Sequence, residues 1–133
     1  MIPKEKNELL KVPGIGEYTA GAILSIAFNI PEAAVDGNVI RVLSRLRALY
    51  QQKTNKDFLS WCQEQSRLLV AKASPSDFTQ GIMELGAVVC TPLSPSCSTC
   101  PIQVRVLLYY HSRSIVKHIN CAHITNNRVQ QMR

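Results

Sequence analysis

No apolar run in this 133-residue chain approaches the roughly 18 residues that a membrane-spanning helix needs. The opening Met1-Ile2-Pro3-Lys4 is not followed by the apolar core of a signal peptide, so the chain is expected not to be secreted. No stretch of useful length alternates apolar and polar residues in the two-residue period of a strand. That absence leaves an all-α class. Histidine is missing before position 111, and acidic residues are missing after position 103.

The last absence divides the chain. Residues 1–103 hold 10 of the 15 Lys and Arg and all 9 Asp and Glu, so they are nearly neutral. Residues 104–133 hold the other 5 cations, no acid and all 3 histidines. The net charge of +6 therefore comes mostly from the tail. We expect one folded segment over 1–103, which is long enough to bury a core. The basic tail over 104–133 reads either as an arm for a polyanion or as sequence outside the fold.

The chain is organised around Leu10 to Ile23. An apolar helical run ends at Val12, the turn Pro13-Gly14-Ile15-Gly16 follows, and a second apolar helix starts at once. Two glycines one residue apart permit a sharp turn with φ > 0. They also leave the amides of Gly14, Ile15 and Gly16 uncovered at a helix N-terminus, where free N–H groups and the helix dipole attract an anion. For a basic chain the natural anion is a nucleic-acid phosphate, gripped by Val12 to Gly16 without reading sequence. The plainer alternative is an αα-hairpin with a glycine turn.

Around this turn the chain reads as helices. Residues 4–11 form the end of one. Thr19 to Phe28 is a mostly buried one, stopped by Asn29-Ile30-Pro31. Asp36 precedes a helix whose apolar face is Val39, Val42, Leu43 and Leu46, and by position it is an N-cap. Arg41, Arg45 and Arg47 fall on the polar flank of that helix, either solvated or in contact with phosphate. After a polar loop at Gln51 to Lys56, an amphipathic helix over Asp57 to Lys72 points Phe58, Trp61, Leu68 and Leu69 inward, with Cys62 as a small buried hydrophobe. Ser74-Pro75 is a strong start for a helix over Phe78 to Val89. Cys90, Cys97 and Cys100 then follow in a C-x6-C-x2-C pattern among prolines. In a chain that is not secreted, such spacing favours zinc or an iron–sulfur centre over disulfides, with unpaired thiols as the third possibility.

Three motifs in this order, VPGIGEYTAGAI, VDGNVIRVLSR and FTQGIMELGAVVCTPLSPSCSTCP, resemble the MutY-type adenine DNA glycosylases of the helix-hairpin-helix base-excision-repair superfamily. The likeness spans residues 3–103, about three quarters of the chain. The endonuclease III-like sister family carries a Schiff-base lysine where this chain has Tyr18, and Asp-Thr-His where it has Asp36-Gly37-Asn38. Both differences favour the monofunctional adenine enzyme.

The resemblance implies a helix-hairpin-helix DNA glycosylase fold, present in part, with a Cys-rich loop. It implies removal of adenine mispaired with 8-oxoguanine or guanine from double-stranded DNA, the target base being flipped out of the stack. Asp36 would stabilise the oxocarbenium-like sugar and Tyr18 would help position it. Val12, Pro13, Gly14, Ile15 and Gly16 would bind a phosphate, with a monovalent cation on their carbonyls. Cys90, Cys97 and Cys100 would be three of four ligands to a [4Fe-4S] cluster. The fourth is expected at position 106, which is Val106. The family's general-acid glutamate lies on a helix before the hairpin and matches none of Glu5, Glu8 or Glu17. The expected chain is therefore a fragment of such an enzyme, a monomer without membrane contact, cytoplasmic or nucleoid-associated in a bacterium. The alternative function is a non-catalytic helix-hairpin-helix DNA-binding module.

Overall fold

The computed structural model describes residues 1–47, 49 and 55–103. Among them the architecture is helical with no strand: α1 (Lys6–Leu9), α2 (Glu17–Ala22), α3 (Gly37–Leu46), α4 (Lys56–Val70) and α5 (Pro75–Glu84). The basic tail expected over 104–133 and residues 51–54 of the expected polar loop lie outside the described residues.

Each helix begins for a local reason. The Asp36 side chain accepts the Val39 amide at 2.8 Å and starts α3. The Asn55 side chain accepts the Phe58 amide at 3.1 Å and starts α4. Pro75, which has no N–H to satisfy, opens α5. Ser74, the expected cap of α5, makes no side-chain cap bond. Asn29 does that work from a distant part of the chain: its Oδ1 accepts the Ser76 amide at 3.0 Å, and its own φ is +55°.

Two of the expected long helices change pitch. α2 continues as a π-turn over Ile23–Ala27, and α5 continues as a second one over Leu85–Val89. A π-turn inserts one extra residue per turn and rotates the following side chains around the axis. Val88, expected on the apolar face, lies within the second of these turns and is 63% exposed. On α4, Phe58 and Cys62 are buried, whereas Leu68 and Leu69, expected inward, are both exposed.

The apolar residues form two clusters. Leu9, Ala20 and Leu24 pack with Ile15 and Ile23 inside the hairpin. Val39, Ile40 and Leu43 of α3 pack with Phe58 and Cys62 of α4, while Ile82 and Met83 of α5 close that cluster. Trp61 stacks on Phe58 with ring centroids 6.0 Å apart. α5 lies against both the π-turn after α2 and helix α3, and so joins the two clusters. No helix among the described residues is long and apolar enough to cross a membrane.

Candidate nucleic-acid interface

The hairpin turn is built from the backbone outward. Leu9 carbonyl accepts the Val12 amide at 3.0 Å, and Val12 carbonyl accepts the Ile15 amide at 3.1 Å. The chain then passes through Gly14 at φ +87°, a left-handed conformation that glycine adopts without the cost of a Cβ. Gly16 was expected to share that conformation and does not: at φ −100° it is extended and serves as the N-cap of α2. The Ile15 amide, expected to be free, is consumed inside the turn. Among the described residues the amides of Gly14 and Gly16 have no protein partner. Space around both glycines is open, with nothing within 4 Å of where a Cβ would stand. The turn thus presents bare donors at the start of α2, with Val12 exposed beside them.

Tyr18, one residue into α2, is 39% exposed and lines a polar cavity of about 260 Å³. Val35, Ser60, Gln63 and Arg67 complete much of its wall. Asp36 itself is not among the residues that line this cavity, though Val35 beside it is. At one end Lys6 is held between Glu17 at 3.0 Å and Glu32 at 3.2 Å. Burial alone would lower the Lys6 pKa, but the hydrogen bonds and charges of Glu17 and Glu32 prevail and raise it above the ordinary lysine value. This ion cluster ties α1, α2 and the segment leading to Asp36 together, and nothing in the spacing of these three residues announced it.

Asp36 combines two jobs. Oδ1 caps α3 through the Val39 amide, and Oδ2 accepts Nδ2 of Asn38 at 3.2 Å. Asn38 is fixed in turn, because its Oδ1 accepts Nη2 of Arg41 at 2.8 Å. Gly86 packs directly on Asn38; a Cβ there would come within 2.7 Å of the Asn38 Cβ. The same guanidinium donates from Nε to the Cys90 carbonyl at 2.7 Å. An unbroken run of hydrogen bonds therefore joins the Asp36 carboxylate to the cysteine loop.

The arginines are the main correction to the sequence reading. Arg41 and Arg45 were expected on a solvated or phosphate-facing flank, yet they are 9% and 2% exposed. Arg45 Nη1 donates to the Thr91 carbonyl at 2.8 Å and to both the carbonyl and the thiol of Cys90 at 3.2 Å, while Nη2 donates to the Pro92 carbonyl at 3.0 Å. Burial lowers the Arg41 pKa, and the neighbouring Arg45 charge lowers it further, against the pull of Cys90 and Asp36. Charge made these residues look external. Their partners are carbonyls 45 to 49 residues away, which no helical pattern reveals.

Cys90, Cys97 and Cys100 are all free and half-buried. Burial pushes the Cys100 thiol above the ordinary value, and the Cys90 and Cys97 charges add to the rise against a bond from the Ile102 backbone. Cys62 lies apart, fully buried among α3 and α4, and burial pushes its thiol up to about 11.

Comparison with known proteins agrees with this geometry. A model of the helix-hairpin-helix motif matches residues 2–26. The chain is 45% identical over 122 residues to an adenine DNA glycosylase of Schizosaccharomyces pombe; the match takes in 90% of this chain and 26% of that protein. Among solved structures, a thermostable thymine-DNA glycosylase superposes with a TM-score of 0.71 at 29% identity, covering 83% of this chain and 50% of the other. Endonuclease III in a non-covalent complex with DNA superposes with a TM-score of 0.60 at 26% identity, covering 85% of this chain and 51% of the other. The chain thus spans about a quarter of the length of the curated relative and half of each solved one.

Proposed function

We propose, for a chain that belongs with the helix-hairpin-helix DNA glycosylases, that its chemistry is that of the adenine-specific enzymes: hydrolysis of the N-glycosidic bond of adenine mispaired with 8-oxoguanine or guanine in duplex DNA. The observation that carries this reading is the pairing of an open hairpin turn with a carboxylate fixed by two donors. The Gly14 and Gly16 amides would take a phosphate oxygen at the start of α2, reading no sequence. A monovalent cation on the hairpin carbonyls belongs to the same proposal, with the Val12 carbonyl shared with the Ile15 amide.

Asp36 would stand beneath the sugar as positive charge develops there. Its plane is set beforehand by the Val39 amide and Asn38, so little reorganisation is needed when that charge appears. Tyr18, half-exposed on α2, would bear on the same sugar. Protonation of the departing adenine is assigned to none of the described residues. General acid help is worth about 10²–10⁴-fold, so the fastest activity expected of these 133 residues is low. The protein would act as a monomer, in the compartment that holds DNA.

Binding of the full chain to a duplex with adenine opposite 8-oxoguanine, beside an undamaged duplex, tests this. Affinity should fall as salt rises, favour the mispair, and leave with Gly14→Ala. Asp36→Asn keeps the cap on the Val39 amide but removes the charge and the bond from Asn38, so it should cost only about 1 kcal/mol in a melt while losing any adenine release. Salt-sensitive binding that ignores the mispair would replace the enzyme reading with the non-catalytic DNA-binding module. No salt-sensitive binding at all would refute both.

A further inference from the structure

A [4Fe-4S] cluster takes four thiolates. The described residues offer three in the loop, Cys90, Cys97 and Cys100. Cys62 cannot be the fourth, because it is sealed inside the α3–α4 cluster. Position 106, where the family spacing asks for a cysteine, is Val106. No group of three or more His, Cys, Asp or Glu side chains among the described residues is arranged to hold a metal ion. Among the described residues the donor set does not fit the cluster that the sequence resemblance implies.

The loop nevertheless has a dense internal scaffold of its own. Two guanidiniums, both buried, reach it from α3. Arg41 bonds the carbonyls of Gly86 and Cys90, and Arg45 bonds those of Cys90, Thr91 and Pro92 together with the Cys90 thiol. Buried charge is tolerated only where hydrogen bonds replace water; Arg45 spends all its bonds on the loop, with Nε left without a partner, while Arg41 divides its own among Gly37, Asn38, Gly86 and Cys90. The loop is drawn back on itself by the Ser96 amide, which donates to the Val89 carbonyl at 2.9 Å. A tight turn follows, in which the Thr99 and Cys100 amides bond the Ser96 and Cys97 carbonyls. None of these bonds needs a thiolate bound to metal.

We propose that in this chain the cysteine loop, residues 90–100, is a metal-independent element whose shape is set by Arg41 and Arg45. The arginines do from inside the fold what a cluster would do from within the loop: they anchor the backbone at Cys90, Thr91 and Pro92, and the Ser96, Thr99 and Cys100 amide bonds carry the path on to Cys100. The thiols of Cys97 and Cys100 then carry no structural duty. This inference stands apart from the DNA reading, since it concerns the loop alone.

The full 133-residue chain, produced anaerobically with iron and sulfide supplied, tests it by two readouts. One is bound iron with its visible iron–sulfur absorption. The other is hydrogen exchange of the amides from Val89 to Cys100, with and without a chelator. The expected result is no iron at cluster stoichiometry, no change in protection on chelation, and none in the chain carrying both Cys97→Ser and Cys100→Ser. Arg45→Leu should lose protection by about tenfold or more across the loop. Iron at cluster stoichiometry, including any ligated through the tail, would overturn the proposal. So would protection that collapses on chelation or in the double-serine chain, or that survives Arg45→Leu. Should Arg45→Leu fail to fold, the chelation and double-serine results still decide.

Discussion

The hairpin turn at residues 12–17 and the cysteine loop at residues 90–100 are two places among the described residues where backbone groups lie outside helices, and they treat those groups in opposite ways. The hairpin leaves donors bare: Gly14 and Gly16 are exposed, and their amides bond to no described residue. The loop has its acceptors covered: the carbonyls of Cys90, Thr91 and Pro92 are each met by a guanidinium from α3. Unpaired donors at a surface are a binding site waiting for an anion, whereas acceptors paired from inside make a rigid scaffold.

The strongest way to break the contrast is to remove the internal donors. Arg45→Leu strips the Thr91 and Pro92 carbonyls of their partners. It should cost about 3 kcal/mol in a denaturant melt, after some relief of repulsion between Arg45 and Arg41. A loss below about 1 kcal/mol would mean that water serves those carbonyls as well as the arginine does. The hairpin should respond to a different change. Gly14→Ala forces a side chain to φ +87°, at a cost of about 1–2 kcal/mol. Gly16→Ala sits at φ −100° in open space and should stay within about 0.5 kcal/mol of the parent. Equal effects at the two glycines would contradict the geometry of the turn.

Alkaline pH should sharpen the comparison with the smallest effect. Cys62, in the cluster behind the loop, has its pKa raised to about 11 from 9.0. Its contribution is complete below the unfolded value and is lost as pH climbs through the folded one, about 1 kcal/mol by about pH 10. Lys6, in the hairpin half, is raised above 10.5, so the stability it lends persists until pH passes that value. Fluorescence of Trp61, which reports the α3–α4 cluster, should therefore show weakening before probes of the hairpin do. Simultaneous loss in both halves would show that they unfold as one.

What the sequence disclosed follows from range. Pro13, Gly14 and Gly16 act on their own neighbours, so the hairpin was legible; only the division of labour between the glycines was not. Asp36 was legible as a cap for the same reason. Arg41 and Arg45 were misread because a helical pattern assigns charge to water, and their partners lie on a loop that folds back from far along the chain. Leu68 and Leu69 were misread because apolar character alone does not say which side of α4 faces the cluster. The two π-turns have no signature in composition, and they shift the face that follows.

Asn29 has a consequence for how the chain reaches its fold. α5 has no cap of its own, and its first turn is completed by a side chain 47 residues earlier. The bonds from Arg41 and Arg45 to the loop span a similar separation. These contacts have high contact order, and each asks the chain to close a long loop before any reward arrives. The hairpin asks for no such closure, since its bonds join residues three or four apart. That inequality sets an expected order of assembly: the short-range bonds of the hairpin come before those of α5 and the cysteine loop, which become secure only after the chain has returned to them.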